Sequence, residues 1–218
     1  MLSRLIIAIA FLVVISNVAF CQSDPIQPDT SFEKAEKVQS GESEYYKFDL
    51  AGYHYKITSD GKGIRSKPQS SDQHFDLNLL KKLYERIDPV LYFAYYKGDL
   101  LLVAEVELDD AGSGILRRLD GESLKIKWEQ RMKVFNIGPT LTSGDYSYLT
   151  GIGFVGKINL ITSKYEWRHE NLYRKDSGSY NSFALPSIVK KRIIFKESYG
   201  AAAIEVDDKT GKILRMDK

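Results

Sequence analysis

One short phrase recurs along this chain, and its recurrence limits the possible folds more than any local propensity does. It reads Leu119-Asp120-Gly121-Glu122-Ser123-Leu124-Lys125-Ile126-Lys127-Trp128 and then Val206-Asp207-Asp208-Lys209-Thr210-Gly211-Lys212-Ile213-Leu214-Arg215. A shorter version, Leu160-Ile161-Thr162-Ser163-Lys164-Tyr165-Glu166-Trp167, lies between them. Self-similarity at a fixed period marks an architecture built from one repeated supersecondary unit. The chemistry of the phrase is that of a turn: Leu or Val enters the sheet, Asp with Ser or Thr caps the bend, Gly permits positive φ, and the next strand begins at Lys. Trp128 and Trp167 are then expected to close each unit by packing on the neighbouring sheet, because burying a large ring is their usual contribution.

The prolines that open the units keep the same period. They stand 50 apart (139 minus 89) and 47 apart (186 minus 139). From proline to closing position the distances are 39 (128 minus 89), 28 (167 minus 139) and 29 (215 minus 186), so the first copy carries about ten extra residues. Each copy also holds several short apolar runs separated by Gly, Asp or Lys turns, the pattern of hairpin-connected strands. A period of roughly 40–50 residues with four strands per unit is what blades of a β-propeller need. The expected repeats are 89–128, 139–167 and 186–215, in an all-β array of three to four antiparallel blades. An open sandwich-like sheet with similar turns is the alternative.

The N-terminus sets the compartment. Residues 1–21 join Arg4 to an apolar run from Leu5 to Ile15 and end in Ser16-Asn17-Val18-Ala19-Phe20-Cys21. That is the layout of a secretory signal, too short for a good membrane span. Cleavage after Cys21 leaves a chain without cysteine, which excludes disulfides and thiolate metal sites. Val18-Ala19-Phe20-Cys21 also approximates a lipoprotein box, although Phe20 stands where a small residue is usual; a lipidated Cys21 would tether the protein to a membrane. Removing Arg4 with the signal leaves 30 basic against 29 acidic side chains. Such a balance offers no footprint for nucleic acid.

Residues 22–44, polar and with Pro25 and Pro28, read as a flexible leader, and 45–218 as a single domain. Tyr45 to Leu50 and Tyr53 to Thr58 alternate around Ala51-Gly52 as a hairpin. Residues 61–73 read as a loop. Asp76 then caps a short helix over 76–87, with Leu77, Leu80, Leu83 and Ile87 at helical spacing and Asp88-Pro89 at its end.

The residues of the phrase resemble the PQQ-like repeat of quinoprotein-type β-propellers, which reads Leu-Asp-x-x-Thr-Gly-Lys-x-x-Trp. The segment from Asp207 to Leu214 is the nearest copy, with Thr210, Gly211 and Lys212 in place and Arg215 where Trp is expected. The segment from Leu119 to Trp128 has Leu124 in place of Gly, and the segment from Leu160 to Trp167 reads two residues short. The resemblance covers about 89–215 and implies a propeller. Enzymes of that family use many blades around a quinone with bound calcium, and no position here matches their calcium ligands or catalytic aspartate. The family's non-enzymatic envelope scaffolds are the closer class.

Candidate chemistry is sparse. His54, His74 and His169 are scattered with no metal-ligand spacing. Neither a Gly-x-Ser-x-Gly elbow nor a phosphate loop is present, and no helix follows Gly151-Ile152-Gly153-Phe154-Val155-Gly156. No catalytic, cofactor-binding or metal-binding residue is therefore assigned, and no cofactor is expected. Tyr92, Tyr95, Tyr96, Tyr146 and Tyr148 are the candidate partner surface, since tyrosine offers apolar area with a hydroxyl. The expectation is a secreted or periplasmic, non-catalytic binding or scaffold protein holding a protein or glycan partner in the cell envelope. A quinoprotein-type subunit and an immunity or inhibitor protein are the alternatives.

Overall fold

The computed structural model describes residues 30–217 apart from 42, 59, 60, 78–90, 107–112 and 135. Three short strands enter first: β1 (Thr30–Ser31), β2 (Glu33–Lys34) and β3 (Glu36–Ser40). They belong to three different sheets. The first sheet runs β3 with β4 (Ser43–Leu50), β5 (Tyr53–Thr58), β6 (Lys62–Ser66) and β7 (Gln73–Asp76). The second is β8 (Leu91–Tyr96), β9 (Asp99–Val106), β10 (Ser113–Leu119) and β11 (Ile126–Met132), with β2 beside β8. The third is β12 (Leu141–Ser143), β13 (Tyr146–Gly151), β14 (Phe154–Asn159) and β15 (Tyr165–His169), with β1 beside β12. The fourth is β16 (Ser187–Val189), β17 (Arg192–Lys196), β18 (Ala203–Asp207) and β19 (Ile213–Met216). Neighbouring strands pair antiparallel throughout, so the chain is all-β with four sheets of four or five strands.

The sheets pack in sequence order. Tyr46, Phe48 and Ile57 of the first meet Phe93, Leu100 and Leu102 of the second. Leu101, Val103 and Leu116 on the other face of the second meet Leu149, Phe154 and Ile158 of the third. Tyr148, Val155 and Trp167 of the third meet Phe195, Ile204 and Val206 of the fourth. The second and third sheets are thus buried on both faces, and a strand buried on both faces reads as a continuous apolar run. That is why Leu100 to Ala104 contains no polar residue and is buried throughout. The end sheets alternate instead, with polar residues on their outward faces.

Several expectations change. The stretch 22–44, read as a flexible leader, forms strands from Thr30 onward. Its apolar residues are few but placed every third position: Phe32 enters the core between second and third sheets, Ala35 the core between first and second. Their amides donate to Thr140 and Leu91 carbonyls at 2.9 and 2.8 Å, so the segment straps one edge of each of three sheets. The loop expected over 61–73 contains β6, and β7 follows it. Gly63 lets the Phe75 ring lie over the strand, where a Cβ would meet that ring at 2.1 Å. Asp76, expected as a helix cap, ends β7, and residues 78–87 of the expected helix lie outside the described residues. No helix occurs among the described residues. The signal segment and Cys21 also lie outside them.

Candidate functional site

The repeat residues build turns whose geometry is the same in all three copies. Asp120, Asn159 and Asp207 each accept the amide four residues on, from Leu124, Ser163 and Gly211, at 2.8 to 2.9 Å. Each side-chain Oδ1 also accepts the amide three residues on, from Ser123 at 2.8 Å, Thr162 at 3.0 Å and Thr210 at 2.8 Å. Residues Leu124, Ser163 and Gly211 take positive φ of 56°, 61° and 71°. These bonds to the charged form hold the Asp120 carboxyl well below the usual range, led by the Ser123 amide, and depress Asp207 through Thr210.

The middle copy is therefore full length. Its turn begins at Asn159, an amide oxygen doing the work of a carboxylate, and Ile158 occupies the place of Leu119 and Val206. In each copy the closing position stands eight residues after the turn acceptor (128 minus 120, 167 minus 159, 215 minus 207). Leu160, expected to match Leu119, stands two places later, at the position of Gly121. A β-bulge precedes each turn, between Arg118/Leu119, Lys157/Ile158 and Glu205/Val206.

The residue after the turn acceptor is where the sheets dock. Trp128 Nε1 and Arg118 donate to the Leu160 carbonyl at 3.0 and 2.9 Å. Trp167 Nε1 and Lys157 Nζ donate to the Asp208 carbonyl at 2.9 and 3.1 Å. Arg65 of the first sheet reaches the Gly121 carbonyl in the same way. Each donor pair is a cross-strand pair, Arg118 with Trp128 and Lys157 with Trp167. Lys125, Lys164 and Lys212 each stand one residue before the next strand, their carbonyls accepting the amides of Asp120, Asn159 and Asp207.

The tyrosines expected to form a partner surface divide otherwise. Tyr96 is fully buried and donates to Asp145 Oδ1 at 2.5 Å. Tyr148 is buried and donates to Asp208 Oδ1 at 2.8 Å. Tyr92 and Tyr146 are half-buried against the cores flanking their sheets, and of the five only Tyr95 is exposed, at 42 %. The reason is that their sheets are covered on both faces. Burial, then the bond to Asp145, pushes the Tyr96 phenol upward; Lys97, then Tyr96, holds Asp145 below its usual range.

A concavity lies elsewhere, on the outward face of the first sheet beside the strap. It is a groove of about 790 Å³, within the range usual for small-molecule sites. Cross-strand pairing sets its floor as rows. Glu36, Lys47, Lys56 and Ile64 form one row across β3 to β6. Asp49, His54 and Ser66 form a second. Lys47 Nζ lies 3.2 Å from Glu36, and Lys56 Nζ stands 4.0 Å over the Tyr45 ring. His54 Nδ1 is 2.5 Å from Asp49 Oδ1, with both side chains largely exposed. Behind them Tyr55 stacks on Phe48, ring centroids 4.7 Å apart, and burial pushes the Tyr55 phenol upward.

His54 was one of three scattered histidines in the sequence. The two-residue turn Ala51-Gly52 places residue 54 opposite 49, and that spacing is the signal by which the pair was legible. Among the described residues no hydrogen bond joins the imidazole to Ser66, and no three His, Cys, Asp or Glu side chains gather as metal ligands. What the groove offers is an array of donors and acceptors on a rigid sheet. No protein-family model matches the chain, and no curated protein does.

Proposed function

We propose that the chain is a secreted or periplasmic, non-catalytic binding protein. It is a β-propeller-like array of the PQQ-repeat type that holds an envelope partner, protein or glycan, on the outward face of its first sheet. The observation that carries this reading is the groove beside Lys47, Lys56 and the Asp49–His54 pair, a concavity lined by side chains with hydrogen-bonding capacity to spare. The repeated turns and docking carbonyls support the propeller-like part: the same device joins each sheet to the next.

Filling the groove tests the reading. Ile64 lies half-buried on the groove floor, and Leu214 is exposed at 45 % on the fourth sheet. Immobilised mature protein is expected to retain an envelope component that Ile64→Trp loses and Leu214→Trp keeps. Retention indifferent to Ile64→Trp, or none at all, would sink the proposal.

A further inference from the structure

The floor of the groove contains an arrangement that folding alone disfavours. Lys47 and Lys56 are directly opposite each other on β4 and β5, and like charges so placed destabilise a sheet. Each ammonium finds a different partner. Lys47 is answered on its far side by Glu36, and Lys56 is held over a tyrosine ring rather than against a carboxylate. Around this cationic centre the groove is mixed in charge and hydroxylic: Glu33, Glu36, Asp49 and Asp72 line it together with Lys34 and His54, and Ser66 and Tyr45 add hydroxyls.

We infer that the groove binds an acidic saccharide of the uronic-acid type, its carboxylate seated between Lys47 and Lys56. This deepens the binding reading above and rests on it. The charge pattern selects the ligand class. A simple polyanion would meet Lys34, Lys47 and Lys56 but would set its further charges against Glu33, Glu36, Asp49 and Asp72. A neutral sugar would donate hydroxyls to those carboxylates yet bring no anionic group to Lys56, which faces a ring rather than a carboxylate. A sugar acid supplies both, one anionic group for the centre and several O–H donors for the acceptors around it, and hydrogen bonds with one ionised partner are the stronger kind. The groove, at about 790 Å³, exceeds what a single carboxylate would fill, so a short oligosaccharide suits it better than a free anion.

The test is calorimetric titration of the mature protein with three probes: a galacturonic acid trisaccharide, a neutral galactose trisaccharide and inorganic phosphate. The acidic trisaccharide is expected to bind at least about tenfold more tightly than either other probe, a factor matching one charge-assisted contact. Lys47→Gln together with Lys56→Gln is expected to remove that preference, while Arg192→Gln on the fourth sheet leaves it intact. Thermal melting checks that the double variant is folded; relief of like-charge opposition leaves its midpoint equal or higher. Equal affinity for the neutral trisaccharide, equal affinity for phosphate, no binding, or an unaffected double variant each overturns the inference. Retention of an Ile64→Trp-sensitive envelope component alongside any of those results would leave the binding reading standing and remove only the acidic sugar.

Discussion

Ser163 and Gly211 occupy the same place in two turns, both with left-handed backbone, φ 61° and 71°. For an L-residue with a side chain that conformation costs about 1–2 kcal/mol. Gly211 has a second reason to be glycine, since a Cβ there would lie 2.4 Å from Trp167 Cβ. Ser163→Gly is therefore expected to raise stability by up to about 1 kcal/mol, part of the strain relief being offset by the freer unfolded chain. Gly211→Ala is expected to lower it by about 2 kcal/mol or more. Urea titration of both variants decides: two changes of the same sign would contradict a shared turn geometry. Leu124 shows why the departure from glycine in the first copy is tolerated, because its side chain is buried in the core between first and second sheets and the packing offsets the strain.

Between elements, the docking pair is the recurring unit. In the third sheet, Trp167 contributes a ring to the core with the fourth sheet and a bond to the Asp208 carbonyl. At the corresponding place in the fourth sheet stand Glu205 and Arg215, which face each other at 3.7 Å and dock nothing among the described residues. Trp167→Ala is expected to cost about 3–5 kcal/mol, as for other large buried rings. Arg215→Ala, at an exposed ion pair, is expected to stay within about 0.5 kcal/mol. Equilibrium denaturation of each distinguishes them, and comparable losses would show that the docking unit continues past the fourth sheet. The strap acts at the same scale. By pairing with β12, β8 and β4 it covers sheet edges that would otherwise present open backbone groups.

The whole molecule is a series of four sheets with two outward ends. Where the inner sheets face their neighbours with Leu101, Val103 and Val155, the ends carry Lys47, Asp49 and His54 on one side and Arg192 and Arg215 on the other, the last at 67 % exposure. Among the described residues none of the three core clusters joins the first sheet to the fourth. Polar outer faces cap repeat arrays against further stacking, and burying these charges would require partners for each of them. The mature chain is accordingly expected to run as a monomer at micromolar concentration by light scattering after size exclusion. A dimer mass would mean that an end face is an interface.

The sequence by itself determined what depends on neighbours along the chain. A hydrogen-bonding side chain, Ser or Thr three residues on and a left-handed residue at the fourth specify each turn locally, so the recurring phrase located β10, β14 and β18 and the strands after them, and Ala51-Gly52 located the first hairpin. Even there the register of the middle copy escaped, because Asn159 does not look like an Asp until its amide oxygen is seen accepting the same bonds. The tertiary structure decided what depends on residues far apart: which tyrosines are buried, why Arg65 lies in a strand too polar to recognise, and that two-residue strands too short to signal themselves strap three sheets together. Burial of a face and pairing of an edge are properties of what lies opposite, and no local pattern records it. The groove belongs to the second kind, since its like-charged pair exists only once β4 and β5 are set side by side.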